Sequence, residues 1–187
     1  MGRTIQAIET HYKGYRFKSR LEARWAVFLD ALGLRWEYEK EGFKLPSGWY
    51  LPDFWLSDWR CWLEIKPEQL DQHSIERRLC ADLMQVGDYP VLLSSRTPGD
   101  EVLELSCNDD KGDSSAGYGE HDCRWAMMSG KPCLEILNAH RDRTWLDGNW
   151  NVLAFVAQNQ SWIYRLVRPE AAYRAARSAR FEGGHRG

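Results

Sequence analysis

Two short apolar segments that each carry one acidic residue constrain the fold of this chain more than any other feature. Asp53 follows Pro52 and begins the segment 53–56, and Glu64, eleven residues later, lies near the end of the segment 61–65. A tight turn between the segments would join them as antiparallel neighbours. The two carboxylates would then lie side by side at one end of a strand pair, which predicts a sheet-containing fold.

Residues around Glu64 complete a set of groups suited to a divalent cation. Lys66 lies two positions after Glu64 and therefore projects from the same face of the strand. Ile65 points into the core, and its backbone carbonyl can face the carboxylates of Asp53 and Glu64. Oxygen ligands of this kind suit Mg²⁺ or Mn²⁺. Lys66 would orient or help deprotonate an attacking water and stabilise the charge that develops on a phosphodiester.

A third acidic residue lies at the start of a predicted helix over residues 20–32. Ser19 and Glu22 form the S-x-x-E pattern of a capping box, and Gly33 suits the C′ position. Apolar residues recur between them at helical spacing: Leu21, Trp25, Phe28, Leu29 and Leu32. Glu22 lies beside this apolar stripe, so it can reach the rim of the core and act as a further metal ligand, directly or through water.

The remaining pattern predicts an α/β sandwich. The expected elements are a strand at 35–39, a hairpin at 43–51, a helix at 74–87, a buried strand at 90–93, strands at 150–156 and 162–166, and a helix from 169 to about 181. Asp, Ser and Gly are frequent from Asn108 to Gly119, which predicts a mobile loop. Three glutamates near the carboxylates, Glu37, Glu39 and Glu41, are interpreted as solvated charges on a strand face.

Basic residues concentrate at both ends of the chain. Residues 1–20 hold five Lys or Arg against one Glu, and residues 165–187 hold six Arg against two Glu. We expect DNA contacts from the four basic residues that precede the Glu22 helix: Lys13, Arg16, Lys18 and Arg20. Solvated termini explain the same charge pattern, and that alternative stays open.

Composition excludes several classes of protein. No apolar run reaches the length that spans a bilayer, and the first residues lack the apolar core of a signal peptide. We therefore expect no membrane partner and a cytoplasmic location, in the host cytoplasm if the chain is phage-encoded. The five cysteines are odd in number and include no C-x-x-C pair, so a disulfide framework is disfavoured. Four residues could supply a structural Zn²⁺, although their spacing fits no standard zinc knuckle: Cys107, His121, Cys123 and Cys133.

The arrangement of these residues resembles the PD-(D/E)XK nuclease superfamily, as found in phage and bacterial DNA nucleases. Pro52-Asp53 corresponds to the PD, and Glu64-Ile65-Lys66 corresponds to the (D/E)XK. The resemblance implies a restriction-endonuclease-like core, with a central mixed sheet flanked by helices, over residues 1–95 including the basic arm. Residues 96–187 would form a C-terminal strand–helix extension packed on the same domain.

The resemblance also implies an activity. Members of the superfamily hydrolyse DNA phosphodiesters with Mg²⁺, and Glu22, Asp53, Glu64 and Lys66 occupy the active-site positions. Since no specificity domain is recognisable, we expect an endonuclease directed by DNA structure, such as a junction or recombination intermediate, and a homodimer would suit a symmetric junction. A restriction-type or host-DNA-degrading endonuclease is the enzyme alternative. A binding module that keeps the fold without turnover is the non-enzyme alternative.

Overall fold

The computed structural model describes residues 7–71, 73–87, 89–99, 103–108, 118–128, 130–136, 142–146, 152–157 and 166–181. Its helices are α1 (Arg20–Leu32), α2 (Ile75–Gly87) and α3 (Glu170–Ser178). Its strands are β1 (Thr10–Tyr12), β2 (Tyr15–Phe17), β3 (Trp36–Tyr38), β4 (Phe43–Leu45), β5 (Gly48–Tyr50), β6 (Phe54–Leu56), β7 (Cys61–Lys66), β8 (Val91–Ser95), β9 (Leu103–Asn108), β10 (Tyr118–Met128), β11 (Lys131–Ile136), β12 (Asp142–Leu146), β13 (Val152–Ala157) and β14 (Leu166–Val167).

A mixed sheet of ten strands forms the centre of the described structure. Its order is β13-β12-β11-β10-β9-β8-β7-β6-β3, and β14 pairs with β10. Strands β7 and β8 are parallel because the chain returns through α2 between them, and the other strand pairs of the described sheet are antiparallel. The strand pairs β1–β2 and β4–β5 form separate hairpins. The predicted mixed α/β class is confirmed, whereas the restriction-endonuclease-like core stays a prediction.

Helix α1 has the bounds and the caps that the sequence predicts. The Ser19 hydroxyl accepts the Glu22 N–H at 3.2 Å, and Gly33 ends the helix in the left-handed conformation with φ 73°. A left-handed residue at this position favours glycine, because a side chain there is strained. The capping residues therefore determine where the helix begins and, with it, where Glu22 lies.

Apolar residues on both faces of β7 explain why its sequence is almost continuously hydrophobic. Leu63 belongs to a cluster that includes Phe28 and Leu29 of α1, whereas Trp62 belongs to a second cluster with Leu83 of α2. Neighbouring residues of a strand point to opposite faces, so α1 and α2 cover opposite sides of the sheet. β7 is thus a central strand, and residues at its end are held by packing on both faces.

Helix α3 covers the same side of the sheet as α1. The ring of its Tyr173 stacks on Phe28 with centroids 5.0 Å apart and an interplanar angle of 10°. Helices α1 and α2 have 13 residues each and α3 has 9, and within the described residues no helix has the length and apolarity needed to cross a membrane.

The structure corrects several predicted elements. Residues 103–108 form β9 and the chain from residue 118 forms β10, where no strand is predicted; residues 109–117 of the predicted loop lie outside the described part. Strands β11 and β12 have no counterpart among the predicted elements. Strand β13 occupies 152–157 and so extends one residue past the predicted end at 156, while residues 150 and 151 lie outside the described part. Of the strand predicted at 162–166 only residue 166 is described, within β14. Each of these strands forms because it pairs with a neighbouring strand in the part of the sheet that extends beyond β8. The residue pattern of one segment alone does not reveal such pairing. The final helix ends at Ser178 rather than near Phe181.

Candidate nuclease site

The two acidic residues of the paired segments meet at the end of the β6–β7 pair. Phe54 pairs with Leu63, so Asp53 lies opposite Glu64 one step further along the ladder. Both side chains are buried, with 8% of Asp53 and 2% of Glu64 exposed. We call Asp53 and Glu64 the carboxylate pair.

Each member of the carboxylate pair is held by the backbone of the opposite strand segment. The Asp53 N–H donates to Glu64 Oε2 at 3.2 Å, and the Ile65 N–H donates to Asp53 Oδ2 at 2.8 Å. These bonds replace the ladder bonds that would continue the pairing beyond Phe54. The convergence that the sequence predicts is therefore present and is fixed by main-chain donors.

The carbonyl of Ile65 faces the same side of β7 as the carboxylate pair. The N–H and C=O of one residue in an extended strand point to the same side, and the Ile65 N–H points to Asp53. By contrast, the Trp62 N–H points to the other side, where it donates to the Pro90 carbonyl at 2.9 Å. The Ile65 carbonyl thus lies on the side of β7 where Asp53 is located.

Lys66 lies on the same face as Glu64, as its spacing predicts. Its Nζ is 2.6 Å from Glu64 Oε1, and its side chain is 25% exposed against 3% for Glu64. Burial by itself would lower the pKa of Lys66, but the Glu64 carboxylate and then Asp53 raise that pKa above its ordinary value. Lys66 is therefore a protonated cation at neutral pH, and its ammonium reaches from a buried carboxylate towards solvent.

Glu22 reaches the vicinity of the carboxylate pair from the start of α1. Its Oε2 accepts the Tyr38 hydroxyl at 2.5 Å and the Lys18 N–H at 3.1 Å, and its Oε1 accepts the Ser19 hydroxyl at 2.7 Å. Its charge contributes to raising the pKa of Asp53, after burial and the charge of Glu64. Because protein donors already engage both oxygens, this arrangement suits a role for Glu22 through water better than direct ligation.

The electrostatic environment of Asp53 is unfavourable for a second negative charge. Burial, followed by the charges of Glu64 and Glu22, holds the pKa of Asp53 well above its usual range. The Ile65 N–H and the Lys66 ammonium act in the opposite direction without cancelling this effect. A cation beside the carboxylate pair would relieve the repulsion.

The side chains alone do not form a complete metal site. No group of three or more His, Cys, Asp or Glu side chains in the described part of the chain is arranged to hold a metal ion. The available donors are two carboxylates, one backbone carbonyl and water. This donor set fits Mg²⁺, which retains several waters and takes one or two protein carboxylates.

Tyr50 and Cys80 also line the site, although no sequence pattern indicates either of them. The Tyr50 hydroxyl lies 3.4 Å from Cys80 Sγ, and besides burial the charge of Glu64 contributes to raising the pKa of both groups. Burial, and then the Glu64 charge, raise the pKa of Cys80 to about 12, so the thiol stays neutral. In the sequence, Tyr50 follows the alternation of a hairpin and Cys80 lies on the apolar face of α2, so both resemble ordinary core residues.

The interpretation of Glu39 as a solvated strand-face charge is wrong. Its N–H donates to the Asp53 carbonyl at 2.9 Å, and its carboxylate forms an ion pair with Lys18. Its backbone adopts φ 46°, a turn conformation that directs the residue towards the site. Glu39 therefore lies at the rim of the site, and no periodic pattern indicates a turn of this kind.

Two of the four predicted DNA-contacting residues, Lys13 and Arg16, lie on the ordered β1–β2 hairpin, whereas Lys18 follows it and Arg20 begins α1. Lys13 and Gly14 both have positive φ, 47° and 84°, as the central residues of a type I′ turn between β1 and β2 require. Three of the four pair with carboxylates: Lys13 with Asp30 (2.9 Å), Arg16 with Glu9 (3.5 Å) and Lys18 with Glu39. Arg20 is exposed at the start of α1. Lys18 lies beside the site, because its N–H donates to Glu22 Oε2 at 3.1 Å and its ammonium pairs with Glu39 at the rim.

The four candidate zinc ligands do not share one surface. Ala126 lies opposite Cys133, and Cys123 is three residues from Ala126, so Cys123 and Cys133 point to opposite faces of the sheet. A single ion cannot contact both thiols. The side chains of Cys107 and His121 lie outside the described part of the structure.

Comparison of the chain with protein-family models, with curated proteins and with solved structures finds no match.

Proposed function

We propose that this protein is a Mg²⁺-dependent DNA endonuclease of the PD-(D/E)XK kind, acting on structured DNA such as branched or recombination intermediates. The observation that carries the proposal is the fixing of both carboxylates by main-chain donors: Glu64 accepts the Asp53 N–H at 3.2 Å and Asp53 accepts the Ile65 N–H at 2.8 Å, with Lys66 Nζ 2.6 Å from Glu64. Burying two carboxylates together costs free energy, so the arrangement is hard to explain by stability alone. A site that receives a cation explains it.

The residues that would hold Mg²⁺ or Mn²⁺ are the carboxylate pair and the Ile65 carbonyl, with Glu22 contributing through water. The raised pKa of Asp53 supports this assignment, because a nearby cation would favour the ionised carboxylate. When bound, the metal supplies a Lewis acid that polarises the phosphodiester and lowers the pKa of a water molecule.

Lys66 has the position of the residue that acts on the attacking water. Its ammonium is anchored at Glu64 and partly exposed, so it can orient a water beside the carboxylate pair and stabilise the negative charge that develops on the phosphate oxygens. In-line attack by this water leaves a 5′-phosphate and a 3′-hydroxyl. Ends that carry a 3′-phosphate would contradict this chemistry.

Lys18 has the position of a contact to the DNA backbone beside the scissile bond. Its N–H donates to Glu22 Oε2 at 3.1 Å, and 64% of its side chain is exposed. Its pairing with Glu39 holds the ammonium at the rim, where a phosphate could replace the carboxylate. Contacts from Lys13, Arg16 and Arg20, a homodimer and a cytoplasmic location all remain predictions.

Cleavage of a panel of labelled DNAs tests the proposal and defines the substrate. The panel contains single-stranded, duplex, flap and four-way-junction DNA, incubated with Mg²⁺, Mn²⁺ or EDTA. We expect cleavage only with metal, fastest on the branched DNAs, and its loss in Asp53→Ala. Preferred cleavage of plain duplex at defined sequences would favour the restriction-type alternative. Metal-independent binding with no cleavage of any DNA would favour a binding module.

A further inference from the structure

Trp49 is an exposed aromatic residue on the hairpin that supports the candidate site. Its side chain is 70% exposed, more than any other large hydrophobic residue of the described structure. Tyr50, the next residue, points inwards, where its hydroxyl lies 3.4 Å from Cys80 Sγ of α2. Neighbouring residues of a strand point to opposite faces, so Trp49 points outwards from the same β4–β5 hairpin whose inner face carries Tyr50.

The exposed ring is held in place by its surroundings. A Cβ added to Gly42 would overlap Trp49 Cζ2, so the indole packs directly over the Gly42 backbone. The hairpin itself is anchored by the Ser47 N–H, which donates to Asp82 of α2 at 2.8 Å, and by the buried side chain of Leu45. A fixed ring loses little conformational entropy when a ligand stacks on it.

A lysine lies opposite Trp49 on the neighbouring strand of the hairpin. Lys44 is the cross-strand partner of Trp49, so both side chains project from the same face of the hairpin, and Lys44 is exposed. We call Lys44 and Trp49 the outer hairpin face. An aromatic ring with an adjacent cation matches a nucleotide, whose base stacks on the ring while its phosphate meets the ammonium.

We propose that the outer hairpin face binds an unpaired nucleotide of the DNA substrate by stacking its base on Trp49 and pairing its phosphate with Lys44. This inference rests on the proposed nuclease function, and it specifies the substrate as DNA with a single-stranded segment next to the cleavage point. Any base can stack on an indole, so the contact selects for strand state and tolerates sequence changes.

Equilibrium binding of labelled single-stranded DNA and of a matched duplex, followed by fluorescence anisotropy in EDTA, tests the inference without cleavage. Trp49→Ala should weaken single-strand binding roughly 5- to 100-fold and leave duplex binding within about twofold. Trp49→Phe should stay within about threefold of the wild type, because it keeps a ring that can stack. Lys44→Gln should weaken single-strand binding and reduce its salt dependence.

Gly42→Ala provides a second variant that retains every DNA-contacting side chain. The added methyl would displace the indole, and Gly42 lacks the positive φ that would strain alanine. We expect single-strand affinity between those of the wild type and Trp49→Ala. Equal single-strand binding by Trp49→Ala and the wild type would overturn the inference and leave Trp49 as a contact for another partner. Equal losses on single strand and duplex would overturn it as well.

The two proposals fail in different ways. If the wild type cleaves no DNA but single-strand binding still depends on Trp49, the nuclease function is wrong and the stacking surface stands. If the wild type cleaves DNA and Trp49→Ala binds single strands normally, only the stacking surface is wrong.

Discussion

The ion pair between Lys66 and Glu64 is buried enough that removing its cation should lower stability measurably. Glu64 is 3% exposed and lies 2.6 Å from the Lys66 ammonium, which is itself 25% exposed. Lys66→Met removes the charge and keeps most of the aliphatic stem. In the absence of metal, Glu64 then remains buried beside Asp53 without its cationic partner.

The expected cost follows from this geometry. Removing one partner of a fully buried ion pair costs about 3–5 kcal/mol, because it leaves an uncompensated charge. Lys66 reaches solvent, so part of its interaction with Glu64 is screened, and we expect a loss of about 2 kcal/mol in the free energy of unfolding. For a chain of this size the loss corresponds to a melting temperature lowered by about 4–8 °C.

Urea and thermal denaturation in EDTA measure this loss. The matched control is Lys131→Met at an exposed position of β11, which should change stability by less than about 0.5 kcal/mol. The pKa of Lys66 is raised above 10.5 in the folded protein, so its stabilising contribution is complete below that pH. The difference between the wild type and Lys66→Met should therefore be constant near neutral pH and shrink as the pH rises through the folded-state pKa.

Equal stability of the wild type and Lys66→Met in EDTA would refute the electrostatic reasoning. It would mean that Glu64 does not depend on Lys66 for charge compensation. A loss of the same size in Lys131→Met would refute it too, because the effect would then be general rather than local.

Three further predictions address the surroundings of the carboxylate pair. Asp53→Asn should stabilise the metal-free protein at neutral pH, because burial and neighbouring charges raise the pKa of Asp53 in the folded state. This gain in stability should disappear as the pH falls towards 3.8, where Asp53 is protonated in the unfolded state as well. Urea unfolding at several pH values would measure the gain. Tyr38→Phe removes the hydroxyl that donates to Glu22 at 2.5 Å and should cost about 2 kcal/mol in the same unfolding assay, while an unchanged stability would show that this bond contributes nothing. Cys61 and Cys80 are buried with raised thiol pKa values, so peptide mapping after alkylation at pH 8 should find them modified only in denatured protein, and rapid labelling of the folded protein would contradict their burial.

Local signals are sufficient to predict the elements that carry the candidate site. The Ser19 cap, Gly33 and the apolar spacing between them predict α1 with its observed bounds. The spacing from Asp53 to Glu64 predicts an antiparallel strand pair. Two short strands joined by a tight turn can pair in few other registers over that spacing.

Features that depend on tertiary contacts are not predictable from these patterns. Strand β9 forms because β8 offers an edge for pairing, and the sequence of 103–108 has no signal strong enough to indicate it. Glu39 reaches the site through a turn at φ 46°, which alternation does not encode. Tyr50 and Cys80 come into contact only when the hairpin and α2 pack together.

Nicking of a supercoiled plasmid by wild type, Lys66→Met and Lys131→Met, with Mg²⁺ or with EDTA, tests the central claim most directly. Conversion to the nicked or linear form detects endonuclease activity wherever on the plasmid the cleavage occurs, and a labelled four-way junction is tested beside it. We predict cleavage with Mg²⁺ by the wild type and Lys131→Met, none in EDTA, and a rate at least about 10²-fold lower in folded Lys66→Met. Cleavage at the wild-type rate by Lys66→Met, cleavage in EDTA, or no cleavage of either DNA by the wild type would contradict the assignment of Asp53, Glu64 and Lys66 to phosphodiester hydrolysis.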